Sequence, residues 1–128
     1  MILDSSAILA ILFEEPGSET LLEKIVSSAA VGVGAPTLTE TVIVCSARLG
    51  RDARSLVMRF VAEAAVETIP LGEAHLGTAV DAWLRYGRGR HPAALNFGDC
   101  LSYAASKVSR RPLLFSGEHF KKTDVDPA

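Results

Sequence analysis

Three carboxylates recur at equivalent places along the chain. Asp4 follows the apolar pair Ile2-Leu3 and precedes Ser5-Ser6 and an apolar run. Glu40 stands one turn into a helical pattern that opens at Thr37, after the short apolar segment from Val31 to Ala35. Asp99 stands one turn into another helical pattern, opened by Asn96. An acid just past the C-terminal end of a buried parallel strand faces the edge of an open α/β sheet where ligands bind. Several unpaired carboxylates in one crevice repel each other, and a hard divalent cation relieves the repulsion. Mg²⁺ or Mn²⁺ takes oxygen ligands, keeps part of its water shell and serves phosphoryl chemistry. No histidine pair or thiolate pair competes for zinc.

Each acid also has a purely structural explanation. Asp4 is suited to cap the helix that follows it. Thr37-Leu38-Thr39-Glu40 has the pattern of a capping box. Asp99 sits in a first helical turn, where the helix dipole favours negative charge. Capping accounts for one acid at a time. It leaves open why Asn96, a good cap by itself, has a carboxylate three residues on.

The elements that must position these acids follow from the spacing of apolar residues. A very short strand closes at Asp4, and Ser5 to Phe13 reads as a helix stopped by Glu14-Glu15-Pro16-Gly17. Leu21, Leu22, Ile25, Val26 and Ala29 mark a second helix. Val31 to Ala35 reads as a second strand, and Thr37 to about Leu49 as a long helix with Gly50 at its C-terminus. Leu56, Val57, Phe60, Val61 and Ala64 give another helical stripe, and Val66 to Leu71 a third strand. Leu76, Ala79, Val80, Trp83 and Leu84 predict a helix, followed by the basic loop Tyr86-Gly87-Arg88-Gly89-Arg90-His91-Pro92. A helix capped by Asn96 runs to Arg110, then Leu113-Leu114-Phe115 forms a fourth strand. Thr123 to Val125 is compatible with a short fifth. Alternating strands and helices predict a three-layer α/β/α architecture, with a central, mostly parallel sheet of four to five short strands.

Composition bounds the function classes. At 128 residues the chain is a single domain, spanning 1–128, and 48% hydrophobic residues supply one core. A net charge of −2 excludes a polycation, so a nucleic-acid partner needs a local basic patch or a metal ion. Cys45 and Cys100 lack metal-ligand spacing and read as buried free thiols, which suits a reducing cytoplasm. No stretch has the length of a membrane span. Among the remaining acids, Asp81 is placed to pair with Arg85 four residues on. Glu118 and Asp124 flank the exit of the fourth strand and are candidates for the same crevice. Arg88, Arg90 and His91 form a loop able to touch phosphates or simply to face solvent.

Taken together, these residues resemble the PIN-domain toxins of the VapC type. The resemblance is carried by Ile2-Leu3-Asp4-Ser5-Ser6-Ala7, Glu40 in a Thr-Glu helix start, and Tyr86-Gly87-Arg88-Gly89 with His91-Pro92-Ala93. Leu95-Asn96-Phe97-Gly98-Asp99-Cys100, Tyr103-Ala104 and Pro112-Leu113-Leu114-Phe115-x-Gly117 complete it. It spans essentially the whole chain. It implies a metal-dependent endoribonuclease of a toxin–antitoxin pair, with a parallel sheet between helices. Asp4, Glu40 and Asp99 match the acidic metal positions, and Ser6 the hydroxyl that supports the first acid. The implied chemistry is attack of a Mg²⁺- or Mn²⁺-activated water on an RNA phosphodiester, leaving a 5′-phosphate and a 3′-hydroxyl. Implied partners are a VapB-type antitoxin, a transfer or ribosomal RNA and a second copy of the chain. In relatives the fourth strand is followed by Gly-x-Asp-Phe. Here Gly117-Glu118-His119-Phe120 places His119 at the usual aspartate, so Glu118, His119 or Asp124 is left to complete the metal site. Two alternatives stand beside the nuclease: a PIN scaffold that acts mainly by binding its partner, and a housekeeping RNA-processing enzyme.

Overall fold

A computed structural model describes all residues, 1–128. Four strands, β1 (Ile2–Leu3), β2 (Gly32–Gly34), β3 (Glu67–Ile69) and β4 (Leu113–Leu114), form one sheet in the order β3-β2-β1-β4. Every pairing is parallel. Six helices surround the sheet: α1 (Ser5–Leu12), α2 (Ser18–Ser27), α3 (Ala35–Leu49), α4 (Arg54–Glu63), α5 (Glu73–Tyr86) and α6 (Phe97–Ser109).

Side-chain alternation in the short strands divides the core into two layers. Leu3, Val33 and Leu114 point to one face, where they meet Ile8, Ile25, Leu38, Val57 and other residues from α1 to α4. Ile2 and Leu113 point to the other, where they meet Ala82, Tyr103, Ala104 and Ala105 from α5 and α6. The three-layer α/β/α architecture is therefore present. Helices bury both faces of β1, β2 and β4, while β3 at the sheet edge is largely exposed. Gly32 and Gly34 let α6 and the β3 exit come close. A Cβ on Gly32 would meet Ile69 Cδ1 at 2.7 Å, and one on Gly34 would lie 3.7 Å from the Cβ of Ala105.

Strand order decides where a site forms. The chain steps from β1 to β2 to β3 on one side, then returns to place β4 on the other side of β1. The connections leaving β1 and β4 therefore diverge. The gap beyond their C-terminal ends is the topological switch point, where open parallel sheets bind ligands. Asp4 and Ser116 sit at that gap, and the amide of Asp4 donates to the carbonyl of Leu114 at 2.9 Å.

Three local expectations change. No fifth strand forms at Thr123 to Val125. A single 3-10 turn, Phe120–Lys122, precedes it, and only an isolated bridge joins Leu113 to Pro127. The chain there is occupied by the Thr123 hydroxyl, which bonds the Phe120 carbonyl at 2.8 Å, a turn rather than a ladder. The long helix begins at Ala35, with Pro36 in its first turn, so Thr37 lies inside it and does not cap. Arg85 pairs with Asp124 at 3.6 Å instead of with Asp81. Tyr86 holds it there, its ring under the guanidinium at 4.8 Å and its hydroxyl accepting from Nη2 at 2.8 Å.

Candidate metal centre

Asp4 ends β1 and caps α1. Its Oδ2 accepts the Ser6 amide at 2.9 Å and the Ser6 hydroxyl at 2.5 Å. Ser6 Oγ in turn accepts the Ser116 amide at 3.0 Å, tying the exits of β1 and β4 together. Ser6 thus supports the first acid and also staples the switch point. Oδ1 of Asp4 is buried and receives no hydrogen bond from any protein group. Ser102 lies close by, but its hydroxyl is engaged with Thr37 Oγ1 at 3.1 Å.

Glu40 projects from α3. The capping-box explanation for it fails, because the box would need Thr37 at the helix start, and Thr37 is a buried interior residue. The Glu40 carboxylate instead accepts the Ser5 hydroxyl at 2.6 Å through Oε1. Its other oxygen rests against the backbone of α6, where a Cβ on Gly98 would collide with Oε2. Only a glycine at 98 leaves room for that carboxylate. Asp99 does take part in a capping box. Asn96 Oδ1 accepts the Asp99 amide at 2.9 Å, and Asp99 Oδ2 accepts the Asn96 amide at 3.0 Å. The box fixes the rotamer that points Asp99 into the cleft, so capping and site-building are one arrangement here.

Asp4, Ser5, Ser6, Glu40, Asn96, Asp99, Glu118 and His119 line one cavity of about 280 Å³, with no lysine or arginine in its wall. Asp124 is not part of it. Its carboxylate accepts the Tyr103 hydroxyl at 2.7 Å and pairs with Lys107 at 3.4 Å and with Arg85. Burial opposes its charge, but these partners outweigh burial and hold its pKa below the usual aspartate value. It ties α6 to the C-terminal segment and is spoken for. Glu118 borders the cavity, with its carboxylate on Lys121 at 2.6 Å at the exposed rim. His119 Nδ1 lies 3.4 Å from Asp99 Oδ2. The basic loop stays outside. Arg90 stacks over the Trp83 ring at 4.6 Å, and His91 Nδ1 accepts the Ala93 amide at 3.0 Å and so shapes the loop. Arg88 lines a neighbouring apolar groove that shares Asn96 with the cavity.

Burial raises the pKa of Asp4, the neighbouring Ser102 hydroxyl and the hydrogen bonds from Ser6 oppose the rise, and the nearby Asp99 adds to it. Burial and the charge of Asp99 also push the Cys100 thiol up to about 11, so it is an inert thiol at neutral pH. No three acidic, histidine or cysteine side chains close on a common point as a ready-made cage. The donors nevertheless suit a hard divalent ion that keeps several waters: all-oxygen carboxylates, one orphaned Asp4 oxygen and no competing cation in the wall.

Sequence reasoning missed Ser5, Ser102, Ser116 and Gly98. Ser5 and Gly98 stood inside motifs whose neighbours drew attention. Nothing marked Ser102 or the Ser116 amide, which act from distant parts of the chain.

A family model described as PIN domain matches residues 1–126. The chain belongs to the PIN-domain family, in its VapC branch. It is 39% identical over 125 residues to a protein named Ribonuclease VapC from Mycolicibacterium smegmatis, covering 98% of this chain and 97% of that one. It is also 39% identical over 127 residues to Ribonuclease VapC36 from Mycobacterium tuberculosis, covering 98% and 91%. Among solved structures, Mycobacterium tuberculosis VapC20, titled a sarcin-ricin loop cleaving toxin, superposes with a TM-score of 0.78 at 16% identity, covering 99% of this chain and 97% of that one. A toxin-antitoxin complex from Klebsiella pneumoniae gives 0.70 at 14% identity, covering 96% and 92%. At those identities the two structures bear on the PIN fold alone.

Two outcomes follow from this VapC-type cleft. A carboxyl whose pKa is higher folded than unfolded lends stability at low pH and withdraws it as pH rises through the folded value. Ionising Asp4 therefore weakens the metal-free fold. Asp4→Asn, melted in chelator at pH 7, is expected to gain on the order of 1 kcal/mol, several degrees in Tm, with the gain vanishing in acid. Gly98→Ala is expected to push Glu40 off its position and to lower kcat/KM for RNA cleavage by about 10- to 100-fold. Its Tm should shift little, because the displaced atoms are the end of a flexible side chain.

Proposed function

We propose that this chain is a metal-dependent endoribonuclease and the toxin half of a toxin–antitoxin pair. The observation that carries the reading is the convergence of Asp4, Glu40 and Asp99 on one cation-free cleft, with an Asp4 oxygen buried and unpartnered. The ribonuclease names of the full-length relatives supply the substrate. Asp4, Glu40 and Asp99 would hold the Mg²⁺ or Mn²⁺ ion. When bound, that ion supplies an activated water and neutralises charge at the phosphodiester, consistent with 5′-phosphate and 3′-hydroxyl products.

The chain's own residues do the positioning. Ser6, through its hydroxyl and its amide, holds one oxygen of Asp4 and leaves the other for the ion. Ser5 fixes Glu40, and the Asn96 amide fixes Asp99. The N-termini of α1 and α6 both open on the cleft, and their partial positive charge offsets some of the carboxylate repulsion. An acid-lined wall repels an RNA phosphate, so the substrate enters only with a cation present. Arg88 and Arg90, outside the cleft, would hold flanking phosphates and not the scissile one. Transfer or ribosomal RNA is the substrate class we favour. A VapB-type antitoxin would inhibit by laying a peptide arginine across the same carboxylates in place of the ion.

Antitoxin-free protein incubated with structured RNA is expected to cleave it in Mg²⁺ or Mn²⁺ and to stop in chelator. Asp99→Asn should lose at least about a hundredfold in rate. Equal cleavage by that variant would remove the nuclease assignment and leave a partner-binding PIN scaffold.

A second copy of the chain is the further partner we propose. Val80 and Trp83 on α5 and the 81% exposed Phe97 at the start of α6 line an apolar groove of about 340 Å³, and Ile43 on α3 lines an adjoining one that shares Phe97. Contiguous apolar faces of this kind mark interfaces. Light scattering at micromolar concentration should give a dimer, and Val80→Asp a monomer. A monomeric wild type would refute the homodimer.

A further inference from the structure

The acid-lined cleft contains one imidazole, that of His119. The chain has three histidines, and two are committed. His75 Nδ1 accepts the Gly72 amide at 3.0 Å, and His91 Nδ1 accepts the Ala93 amide at 3.0 Å. The His119 ring makes a single polar contact, 3.4 Å from Nδ1 to Oδ2 of Asp99. That separation is long for a hydrogen bond. It leaves both atoms near enough for one divalent ion, with ligands at about 2.1 Å, to touch them together. The two side chains also differ in freedom. Asp99 is 15% exposed and held by its capping box, while His119 is 53% exposed and able to turn onto an ion entering from solvent.

We propose that His119 is a nitrogen ligand that joins Asp99 at the metal and biases the site toward Mn²⁺ over Mg²⁺. The proposal rests on the metal-dependent reading above and adds the identity of the ion. The chemical reason is donor softness. Mg²⁺ is a hard ion that binds carboxylate and water oxygens and yields its water to imidazole reluctantly. Mn²⁺ accepts a mixed oxygen and nitrogen set and lies on the first-row series in which nitrogen donors add affinity. Asp4, Glu40 and Asp99 alone make an all-oxygen site that suits either ion. His119 breaks that symmetry from the exposed rim, where its replacement leaves the core untouched.

The test is spectroscopic and uses the whole chain freed of antitoxin. Mn²⁺ is added to wild type, His119→Ala, His119→Asp and Asp99→Asn, each checked by thermal melt. Pulsed electron paramagnetic resonance then reads nitrogen hyperfine coupling to the bound ion. Competition of Mg²⁺ against Mn²⁺ gives the selectivity. The coupling should be present in wild type and absent in His119→Ala. His119→Asp should bind both ions, with the Mn²⁺ preference reduced about tenfold. Mn²⁺ that binds wild type, is lost in Asp99→Asn and shows no nitrogen coupling would overturn the role of His119 and leave the metal site standing. Coupling that persists in His119→Ala would overturn that role as well. Failure of wild type to bind either ion at millimolar concentration would overturn both the ligand and the site.

Discussion

The structure turns on one electrostatic constraint: a carboxylate, Asp4, carried into the protein interior at the point where the sheet changes direction. It is 2% exposed, one oxygen is fully engaged by Ser6, and the other has no donor. A buried charge left half-satisfied is costly unless a partner arrives. Here no lysine or arginine in the cavity wall provides one. The neighbouring acids make the deficit worse, since Asp99 acts on Asp4 as a like charge. A divalent cation held by these carboxylates, as we propose, would supply that partner. Helix capping alone would not produce this arrangement, because a cap at the surface has no cause to be buried.

The remainder of the chain holds that constraint in place. Ser6 joins the exits of β1 and β4 through the Ser116 amide, so the acid and the far side of the crevice move as one unit. Ser5 reaches across to Glu40, and Gly98 gives the Glu40 carboxylate room against α6. The Asn96–Asp99 box aims the third acid. Three separate segments meet through contacts that each involve a small residue or a backbone amide. Small groups permit the close approach, and their short reach leaves the carboxylates little freedom. Behind the site, Leu3, Val33 and Leu114 on one face and Ile2 and Leu113 on the other give the sheet end a rigid footing.

Much of this was legible in the residues. Alternation of short apolar runs with amphipathic helices indicated the parallel sheet, and Asp4, Glu40 and Asp99 were visible at its edge by position. What could not be read were relations between distant segments. Glu40 carried a plausible capping box in its own sequence, and only the start of α3 at Ala35 showed that Thr37 is interior. Asp124 looked like a cleft residue because it follows β4. It proved to be drawn away by Tyr103, Lys107 and Arg85, partners spread over two different helices. The missing fifth strand has the same origin: a hydroxyl-stabilised turn at Thr123 replaced a ladder that the residue types allowed. Local pattern specifies elements well and cross-chain pairings poorly.

The proposal that a cation answers the buried Asp4 charge is tested most directly by thermal unfolding across about pH 4 to 8, with chelator and with saturating divalent ion. The two curves are expected to converge in acid and to separate as pH rises, because the metal-free protein loses stability when Asp4 ionises while the loaded protein does not. Curves that coincide at every pH would contradict a cation-requiring Asp4.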